Sequence, residues 1–318
     1  MKIIGTGRAH PSMVLTNSML TEFLNTSDEW IVERTGIKQR QIISNERLEE
    51  IAIEASKKAI ENSGMAAADI DFIICSNVVN EYVTPSMSCL IQNGIDTSCP
   101  CVDINAACSG FVYALSMAES YIKSGMAHNI LVVCAEEPTR MVDWKDRGTC
   151  VLFGDGAGAV VVTAGDDLLS IKLSSVDRGE VLYYERKLEP TPYIKKEEGD
   201  VPLVMKGREV FRTAVSSSIR DIDSVIKSAG MTPSDVTYFL THQANMRIID
   251  AIREYLKEPE KKFPHNIERY GNTSSASIPI LLDELNREGR LHKGDKLVMS
   301  AFGAGFTTGA CVFNWSKE

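Results

Sequence analysis

The sequence predicts an α/β fold built from two similar halves, and three patterns lead to this prediction. Short apolar strands alternate with helical segments, which is typical of a largely parallel sheet covered by helices on both faces. Segment 71–77 has the same pattern of residue types as segment 237–243. Each half also ends on a glycine-rich turn that introduces an apolar strand. We therefore expect an N-terminal half over residues 1–165 and a C-terminal half over residues 166–318.

The glycine-rich turns are 153–158 and 302–306. Another pair of segments, 131–133 and 297–299, also matches, at the same offset as 71–77 and 237–243. The first turn has the look of a phosphate-binding loop. A dinucleotide-binding fold requires a helix after such a loop, but residues 159–162 predict a strand. We expect these glycines to allow close backbone packing instead.

The elements of the N-terminal half follow from capping residues and from hydrophobic spacing. Ser27 is placed to begin a helix, and Gly64 is placed to end one. The predicted helices are 16–24, 27–34, 48–63 and one within 85–94, and the predicted strands are 1–5, 71–76 and 130–135.

A polar stretch opens the C-terminal half. Residues 166–204 carry charged clusters at 185–187 and 195–198, which indicate a solvated connection of strands and loops. Beyond this stretch the predicted helices are 206–230, 245–256 and 277–288, with a strand at 238–241.

The composition is that of a globular protein, with 44% apolar and 24% charged residues. A net charge of -9 argues against non-specific nucleic-acid binding, which requires a basic face. No apolar run approaches the length of a membrane span, and the first residues lack the apolar core of a signal peptide. We therefore predict a cytoplasmic protein that binds neither nucleic acid nor membranes.

The eight cysteines include no CxxC pair, so the sequence predicts neither a disulfide framework nor a zinc site. Cys99 and Cys101 stand two apart without a second ligand pair, and we interpret both as buried thiols. The histidines away from any ligand spacing are expected to be solvated or to cap elements: His10, His128, His265 and His292. No metal is predicted.

Cys108 is the candidate nucleophile because it stands at the start of a predicted amphipathic helix. Apolar residues recur on one face of this helix until Gly125 ends it: Phe111, Leu115, Ala118 and Ile122. The free N–H groups and positive dipole end of the helix would stabilise a thiolate, while Ala106, Ala107, Ser109 and Gly110 leave room for a substrate. The alternative is an unreactive buried thiol, since free cysteines are among the most often buried residues.

Trp30 and Arg34 lie one turn apart on the predicted helix 27–34. An indole beside a guanidinium suits a nucleotide base and its phosphates. Simple packing plus a solvated charge is the alternative, and the spacing by itself leaves both interpretations open.

The reacting groups of an open α/β sheet lie beyond the carboxyl ends of its strands. His242 follows the strand 238–241, and Cys108 matches Asn272 of the second half at nearly the offset of the other paired segments. We therefore expect Cys108, His242 and Asn272 to meet at one site.

Six motifs along essentially the whole chain point to one family. They are TSDEWI with RTGI (26–31 and 34–37), AACSGF (106–111), DRGT (146–149), FGDGAG (153–158), HQAN (242–245) and GNTSSASIP (271–279). With these motifs the chain resembles the β-ketoacyl-acyl carrier protein synthase III family of the thiolase superfamily. The resemblance implies a five-layered αβαβα duplication that works as a homodimer.

The resemblance also implies a reaction. Cys108 would accept an acyl group from acyl-coenzyme A, and decarboxylation of malonyl-acyl carrier protein would supply the enolate that attacks it. His242 and Asn272 would donate hydrogen bonds to the enolate oxygen, and the backbone N–H groups of Cys108 and Ala304 match the oxyanion hole. Elongating synthases have a second histidine where this chain has Asn272, which favours a chain-initiating enzyme. Coenzyme A enters as a substrate thioester, and no cofactor is implied.

Further residues match the substrate surfaces of the family. Trp30 and Arg147 match the pair that sandwiches the adenine of coenzyme A, with Arg34 as a neighbouring cation. Thr84 stands where several relatives have a bulky aromatic that borders the acyl pocket across the dimer interface. Phe302 would shield the sulfur on the other side. The length of the acyl primer stays open.

An acidic carrier protein needs a local basic patch on this acidic chain. Arg212 and Arg247 are the candidates, with Lys206, Arg208 and Arg253 as looser ones. Ordinary surface arginines are the alternative.

Two other functions share part of the pattern. An acylated Cys108 would also serve an enzyme that passes the acyl group to an oxygen, nitrogen or different carbon acceptor in a specialised pathway. A non-catalytic acyl-carrier-binding protein or a cysteine hydrolase would keep only some of the residues. The complete set favours a condensing enzyme that initiates fatty acid synthesis.

Overall fold

The structure, a computed structural model, describes residues 1–185, 191–193 and 201–317, and its strands form two main sheets. The first strands in chain order are β1 (Lys2–Ala9), β2 (Met13–Thr16), β3 (Gln39–Ile42), β4 (Phe72–Ser76), β5 (Cys101–Ile104), β6 (Asn129–Glu136) and β7 (Gly156–Thr163). Those that follow are β8 (Leu168–Ser175), β9 (Leu182–Tyr183), β10 (Val204–Met205), β11 (Tyr238–Thr241), β12 (Lys296–Gly303) and β13 (Thr307–Asn314).

The helices of the described residues are α1 (Asn17–Leu20), α2 (Asp28–Thr35), α3 (Leu48–Ser63), α4 (Met87–Gly94), α5 (Gly110–Ser124), α6 (Gly207–Ser228), α7 (Met246–Leu256), α8 (Ile267–Tyr270) and α9 (Ser277–Arg287). Several of their ends lie at the residues that the sequence indicates. The Ser27 hydroxyl accepts a hydrogen bond from the backbone N–H of Trp30 at the start of α2. Gly64 and Gly125 end α3 and α5 in the left-handed conformation, which confirms both stops.

Both main sheets mix parallel and antiparallel neighbours, so the expectation of a largely parallel sheet is wrong. The first has the strand order β1-β7-β6-β4-β5, in which only β6, β4 and β5 run parallel. In the second, ordered β11-β12-β13-β8, only β11 and β12 run parallel. The short turn between β12 and β13 explains part of the difference, because so short a connection joins only antiparallel neighbours.

Helices cover both faces of each sheet and give five layers. Along β7, Val160 and Val162 face the middle layer formed by α5 and α9, whereas Val161 faces α3 and α4 on the outside. On the second sheet, Met299 faces the same middle layer and Val298 faces α6 and α7. This alternation has the period of two expected for strands buried on both faces. The αβαβα layers that the resemblance implies are therefore present.

The two main sheets repeat one another. Strands β1, β7, β6 and β4 occupy the same order as β8, β13, β12 and β11. Gly64 and Gly230, both left-handed and both at helix ends, stand at the offset that relates segments 71–77 and 237–243. Ala107 and Ser274, left-handed residues just before the middle-layer helices, stand at nearly the same offset. The chain is thus a duplication, as expected. The boundary after residue 165 falls between β7 and β8 and stays a prediction.

One predicted helix is shorter than expected, and part of the polar stretch lies outside the described residues. The helix expected over 16–24 is limited to α1, and turns over 21–23 lead to Ser27, which is extended and caps α2. Of the expected charged clusters, Glu185 is exposed, and 186–187 and 195–198 lie outside the described residues. None of the helices in the described ranges is long and apolar enough to cross a membrane.

Candidate active site

Cys108 lies in a 3₁₀ turn between the end of β5 and the start of α5. The residue before it, Ala107, has a φ of 47°, which L residues rarely adopt. Ser274, with a φ of 52°, holds the corresponding place before α9 in the second half. Helical structure therefore begins just before Cys108, as expected, and the α-helix proper begins two residues later.

Burial dominates the protonation of Cys108. Desolvation raises the pKa of its thiol to about 12, although a hydrogen bond from the Ser274 hydroxyl, 3.3 Å from the sulfur, acts in the opposite direction. The negative charge of Glu136 raises the pKa further. The backbone hydrogen bond at Cys108 also lowers the pKa, which is the direction expected of a helix start. Burial opposes this effect and on balance favours the neutral thiol.

Some of the small residues around Cys108 leave room for a substrate, as expected, whereas others allow close packing against the protein. Ala106 and Ala107 line a cavity beside the sulfur. Gly110 instead faces protein, since a Cβ there would lie 1.8 Å from the Ser76 hydroxyl oxygen. The Ser109 hydroxyl is buried and contacts the Thr307 hydroxyl at 2.6 Å.

His242 follows β11 and is almost fully buried. Its Nδ1 lies 2.8 Å from the Ser277 hydroxyl oxygen, which also accepts a hydrogen bond from the backbone N–H of Gln243 at 3.3 Å. Burial lowers the pKa of His242 to about 3, so the imidazole is neutral at neutral pH. The ring packs edge-on against Phe302, with centroids 5.2 Å apart.

Asn272 is held between the two halves by its backbone. Its N–H donates to the Leu152 carbonyl at 2.8 Å, and its carbonyl accepts from the Gly154 N–H at 3.1 Å. The side-chain oxygen accepts a hydrogen bond from the backbone N–H of Ser274 at 2.9 Å. This contact orients the amide and leaves its NH₂ group to donate elsewhere.

Cys108, His242 and Asn272 line one cavity of about 510 Å³, so the structure brings together the three residues that the sequence pairs across the halves. Phe302 lines the same cavity, which opens between α2, α6 and α7. A second cavity of about 750 Å³ reaches Cys108 from another side, and Ala304 lies in its wall. The sulfur therefore stands where the two cavities meet.

Ala304 reaches Cys108 because the residue before it is glycine. A Cβ on Gly303 would lie 2.5 Å from the backbone nitrogen of Cys108, closer than any side chain allows. The turn after β12 can therefore pack directly against the 3₁₀ turn of the first half.

Two guanidinium groups lie over the Trp30 ring at the mouth of the first cavity. The Arg34 Cζ is 4.6 Å and the Arg147 Cζ is 4.7 Å from the centre of the indole ring. An adenine between Trp30 and Arg147 requires about 7 Å, twice the carbon contact distance, so Arg147 must swing away to admit it. The lining of this mouth is strongly basic: Arg34, Arg147, Arg208, Arg212 and Arg247.

Three other candidates lie apart from the cavities formed by the described residues. Thr84 is exposed and lines neither of them. Lys206 and Arg253 also stay outside the lining, and the Arg253 guanidinium pairs with Asp250 at 3.3 Å. Arg253 is therefore not part of the basic mouth.

His10 is neither solvated nor a cap, which corrects the expectation for this residue. Its ring stacks on Tyr270 with centroids 4.0 Å apart, and burial lowers its pKa to about 3. Neither ring nitrogen has a hydrogen-bond partner within the described ranges. In that same part of the chain, no three His, Cys, Asp or Glu residues are grouped so that they could hold a metal ion.

Three polar residues beside the site had not been assigned a role from the sequence. Ser274 and Ser277 belong to the 271–279 motif and contact Cys108 and His242. Glu136, at the end of β6, is buried, and burial raises the pKa of its carboxyl to about 7. A carboxylate directly after a buried strand was its only signal. The glycines of 153–158 do pack closely, as expected, since a Cβ on Gly158 would lie 2.8 Å from the Ile280 nitrogen.

Two family models match the chain. Residues 102–176 match the family described as 3-oxoacyl-[acyl-carrier-protein (ACP)] synthase III, and residues 226–315 match its C-terminal region. A β-ketoacyl-[acyl-carrier-protein] synthase III of Clostridium novyi (strain NT) is 42% identical over 321 residues, which covers 99% of each chain. The enzyme of the same name from Aquifex aeolicus (strain VF5) is 44% identical over 315 residues, again with 99% of each chain covered.

Solved structures agree with these sequence matches. The crystal structure of 3-oxoacyl-[acyl-carrier-protein] synthase III from Aquifex aeolicus VF5 has a TM-score of 0.91 at 43% identity, covering 99% of each chain. The priming β-ketosynthase from the R1128 polyketide biosynthetic pathway has a TM-score of 0.93 at 33% identity, covering 99% of this chain and 96% of that one. The likeness thus extends over the whole chain and includes a synthase named for a specialised pathway.

Proposed function

Because this chain belongs to the β-ketoacyl-[acyl-carrier-protein] synthase III family of condensing acyltransferases, we propose that it condenses a short acyl-coenzyme A with malonyl-acyl carrier protein. CO₂ and free coenzyme A are released, and the product initiates fatty acid synthesis. The observation that carries this proposal is the single cavity shared by Cys108, His242 and Asn272.

In the first step the Cys108 sulfur attacks the thioester carbonyl of acyl-coenzyme A. Exchange of one thioester for another changes bond energy little, which suits a transfer that must be followed by carbon–carbon bond formation. The backbone N–H groups of Cys108 and Ala304 form the proposed oxyanion hole, and the close approach at Gly303 supports this pairing. The neutral thiol must lose its proton as the bond forms.

In the second step malonyl-carrier loses CO₂ and becomes an enolate, which attacks the acyl-Cys108 carbonyl. His242 and Asn272 donate hydrogen bonds to the enolate oxygen, each worth about 3 kcal/mol in comparable sites. The role of His242 requires Ser277 to donate to Nδ1, which leaves the proton on Nε2 to face the cavity. The low pKa of His242 supports a neutral donor, and the fixed amide oxygen of Asn272 leaves its NH₂ group available.

Coenzyme A is proposed to bind at the mouth of the first cavity. Trp30 and Arg147 stack on the two faces of the adenine, and Arg34 pairs with a phosphate. The two guanidinium groups over the Trp30 ring support this assignment, since they place cations beside the indole on which a base would stack. The coenzyme is a substrate, and we propose that the enzyme needs no cofactor or metal.

The carrier protein is proposed to dock on Arg212 and Arg247, which are exposed at the rim of the same mouth. These charges stand out on a chain of net charge -9, so they would attract an acidic partner. Raising the salt concentration should therefore raise the KM for malonyl-carrier. Arg212→Glu should do the same, and the surface variant Arg290→Glu should not.

A homodimer is proposed because β5, at one edge of the first sheet, lies beside an exposed apolar loop. β5 is the terminal strand of that sheet and offers unpaired backbone groups to a second copy. The apolar Val83, in the loop before α4, is 71% exposed and needs a cover. Thr84 beside it would then border the acyl pocket of the other copy, whereas Phe302 shields the sulfur from within the chain.

The proposal is tested by incubating the protein with radiolabelled acetyl-coenzyme A and malonyl-carrier. We expect a covalent label on Cys108, then labelled acetoacetyl-carrier and CO₂. Cys108→Ser should abolish both, and Cys89→Ser, which removes a thiol outside the cavities, should retain both. Labelling of Cys108 without condensation, for every acyl-coenzyme A and with active malonyl-carrier, would overturn the proposed reaction.

A second candidate function is supported by the likeness to the priming β-ketosynthase of a polyketide pathway. The acyl-Cys108 step would be retained, and the acceptor or primer would differ. Mass spectrometry of the products from a series of acyl-coenzyme A primers distinguishes the two candidates. A cysteine hydrolase would release free acid from the acyl-enzyme, and a non-catalytic carrier-binding protein would form no acyl-enzyme at all.

A further inference from the structure

The hydroxyls of two adjacent residues, Ser274 and Ser275, lie between Cys108 and the buried carboxyl of Glu136. The Ser274 hydroxyl lies 3.3 Å from the Cys108 sulfur. The hydroxyl of the next residue, Ser275, donates to the Glu136 carboxyl and lies 3.0 Å from the Ser76 hydroxyl. The backbone N–H of Val78 donates to the other carboxyl oxygen at 3.3 Å.

The carboxyl is enclosed by these neutral groups. Glu136 is 1% exposed, at the end of β6 and directly beneath the start of α5. Gly110 of α5 lies against this group, because a Cβ there would overlap the Ser76 hydroxyl. The second half thus inserts Ser274 and Ser275 between the nucleophile of the first half and a carboxyl of the same half.

Ser274 lies close to both Cys108 and Glu136. Besides its contact with the sulfur, its hydroxyl is close enough to the Glu136 carboxyl to lower the pKa of that group. A hydroxyl has a single hydrogen, so it cannot donate to the carboxylate and to the sulfur together. If it donates to Glu136, its oxygen can accept the S–H of the thiol. If it donates to a Cys108 thiolate, the carboxyl has taken up a proton.

We propose that Glu136 is a positioning residue that acts through Ser274, holding the thiol proton of Cys108 while the sulfur is acylated. This inference rests on the proposed function and adds a proton acceptor to its first step. Without such an acceptor, the proton of the Cys108 thiol would have to leave through the two cavities that the substrates must fill.

The proton and electron balance closes over the two half-reactions. The S–H bond of Cys108 breaks, its electron pair stays on sulfur, and the proton passes to the Ser274 oxygen as the original Ser274 proton passes to Glu136. The sulfur then attacks the thioester, and coenzyme A leaves as a thiolate that takes a proton from solvent. When the enolate has attacked the acyl group, the sulfur leaves as a thiolate. It recovers its proton from Glu136 by the reverse path.

The surrounding charges agree with a single shared proton. The titratable groups that sense the charge of Glu136 are the thiols of Cys75 on β4, Cys134 on β6 and Cys108 itself. Burial raises the pKa of both Cys75 and Cys134 well above the usual range, so they stay protonated. The pKa of Glu136, about 7, lets the carboxyl exist in either form near neutral pH.

The test is the rate of Cys108 acylation by acetyl-coenzyme A as a function of pH, followed by rapid quench and intact-protein mass. In the wild type we expect the rate to rise with an apparent pKa near 7, as Glu136 ionises. His242 cannot produce this rise, since its pKa is about 3. Glu136→Gln, of nearly equal shape, should lose the rise near pH 7 and react at least tenfold more slowly at pH 7.5.

Ser274→Ala should show the same loss, and the double variant should be no slower than either single variant, because both act on one path. Glu137→Gln is the matched control. Its carboxylate is also buried but pairs with Arg140, so it should retain the wild-type pH profile. Thermal unfolding of each variant identifies any that fail to fold, and the remaining single variant then decides the outcome.

A purely electrostatic role of Glu136 predicts the opposite result. Its charge raises the pKa of Cys108, so its removal alone would make acylation faster. Glu136→Gln acylating as fast as the wild type or faster, with the rise near pH 7 intact, would overturn the inference and leave the proposed function standing. Failure of the wild type to acylate would instead count against the proposed function.

Discussion

At the scale of single residues, the site is governed by what burial does to ionisation. Cys108 is held as a neutral thiol and His242 as a neutral imidazole, each with a pKa displaced by desolvation. Burial therefore disfavours a resting thiolate–imidazolium pair. The reaction must move protons and develop charge only when substrate is present, where oriented donors such as Asn272 stabilise it.

Asn272→Asp should separate the two half-reactions. The substituted carboxylate retains the oxygen that accepts from Ser274 but loses the NH₂ donor and adds a charge that opposes the enolate. We expect CO₂ release from malonyl-carrier to fall by about 100-fold or more, while labelling of Cys108 falls much less. Asn45→Asp, at an exposed position, is the control and should change neither rate. Equal losses in both half-reactions would contradict a role confined to decarboxylation.

His10 should make the protein sensitive to acid. Its folded pKa is depressed to about 3, so between that value and the unfolded pKa of 6.5 only the unfolded chain takes up the proton. The free energy of unfolding therefore falls as the pH drops below 6.5. His10→Phe keeps the stack on Tyr270. Between pH 6.5 and pH 5 the free energy of unfolding of this variant should fall by about 2 kcal/mol less than that of the wild type.

Urea denaturation at several pH values measures this difference. Tyr193→Phe is the control, since it changes an exposed residue far in sequence from His10 and leaves every histidine in place. An identical pH dependence in His10→Phe and the wild type would show that His10 is solvated in the folded protein.

At the scale of elements, glycines set how closely the two halves approach. Gly158 of β7 lies against the first turn of α9, and Gly303 of β12 lies against the turn that carries Cys108. Both contacts join an element of one half to an element of the other. These contacts hold Cys108 where the two halves meet, and Asn272 lies just before α9 at the same place. The packing of the halves and the geometry of the site therefore depend on the same contacts.

Gly158→Ala should weaken this packing. The added Cβ would lie 2.8 Å from the Ile280 nitrogen and 2.9 Å from the Pro279 Cβ, where no flexible side chain can give way. We expect unfolding to require about 1–3 kcal/mol less free energy, measured by urea or thermal denaturation. Gly179→Ala, where a Cβ would have no atom of the described residues within 4 Å, is the control. Equal stability of the two variants would mean that β7 and α9 are less closely packed than the structure indicates.

At the scale of the whole molecule, the chain is a duplication in which β5 forms one edge of the first sheet. The first sheet carries one more strand than the second, and this extra strand, β5, leads directly to Cys108. A second copy pairing along β5 would cover the neighbouring apolar loop and would close the second cavity near Val83. Assembly and substrate binding would then be connected through one strand.

Val83→Glu should weaken the proposed dimer. Val83 is 71% exposed in the single chain, so a charge there costs nothing in a monomer but must lose solvent in a dimer. Sedimentation velocity should show the mass falling by half at concentrations where the wild type is dimeric. Met126→Glu, at an apolar position of similar exposure, should stay dimeric. A monomeric wild type, or an undisturbed dimer in Val83→Glu, would contradict this interface.

Local patterns allowed much of the fold and the heart of the site to be predicted from the sequence. The α3 and α7 helices and strand β11 lie where spacing and caps place them, and Cys108, His242 and Asn272 follow from strand ends and from the repeat. These features depend on residues near one another in the chain. Only the tertiary structure decided the direction of the outer strands, the neutral state of Cys108 and the contacts of Ser274 and Glu136. Burial and close approach between residues far apart in the chain determine these properties, and no local pattern records them.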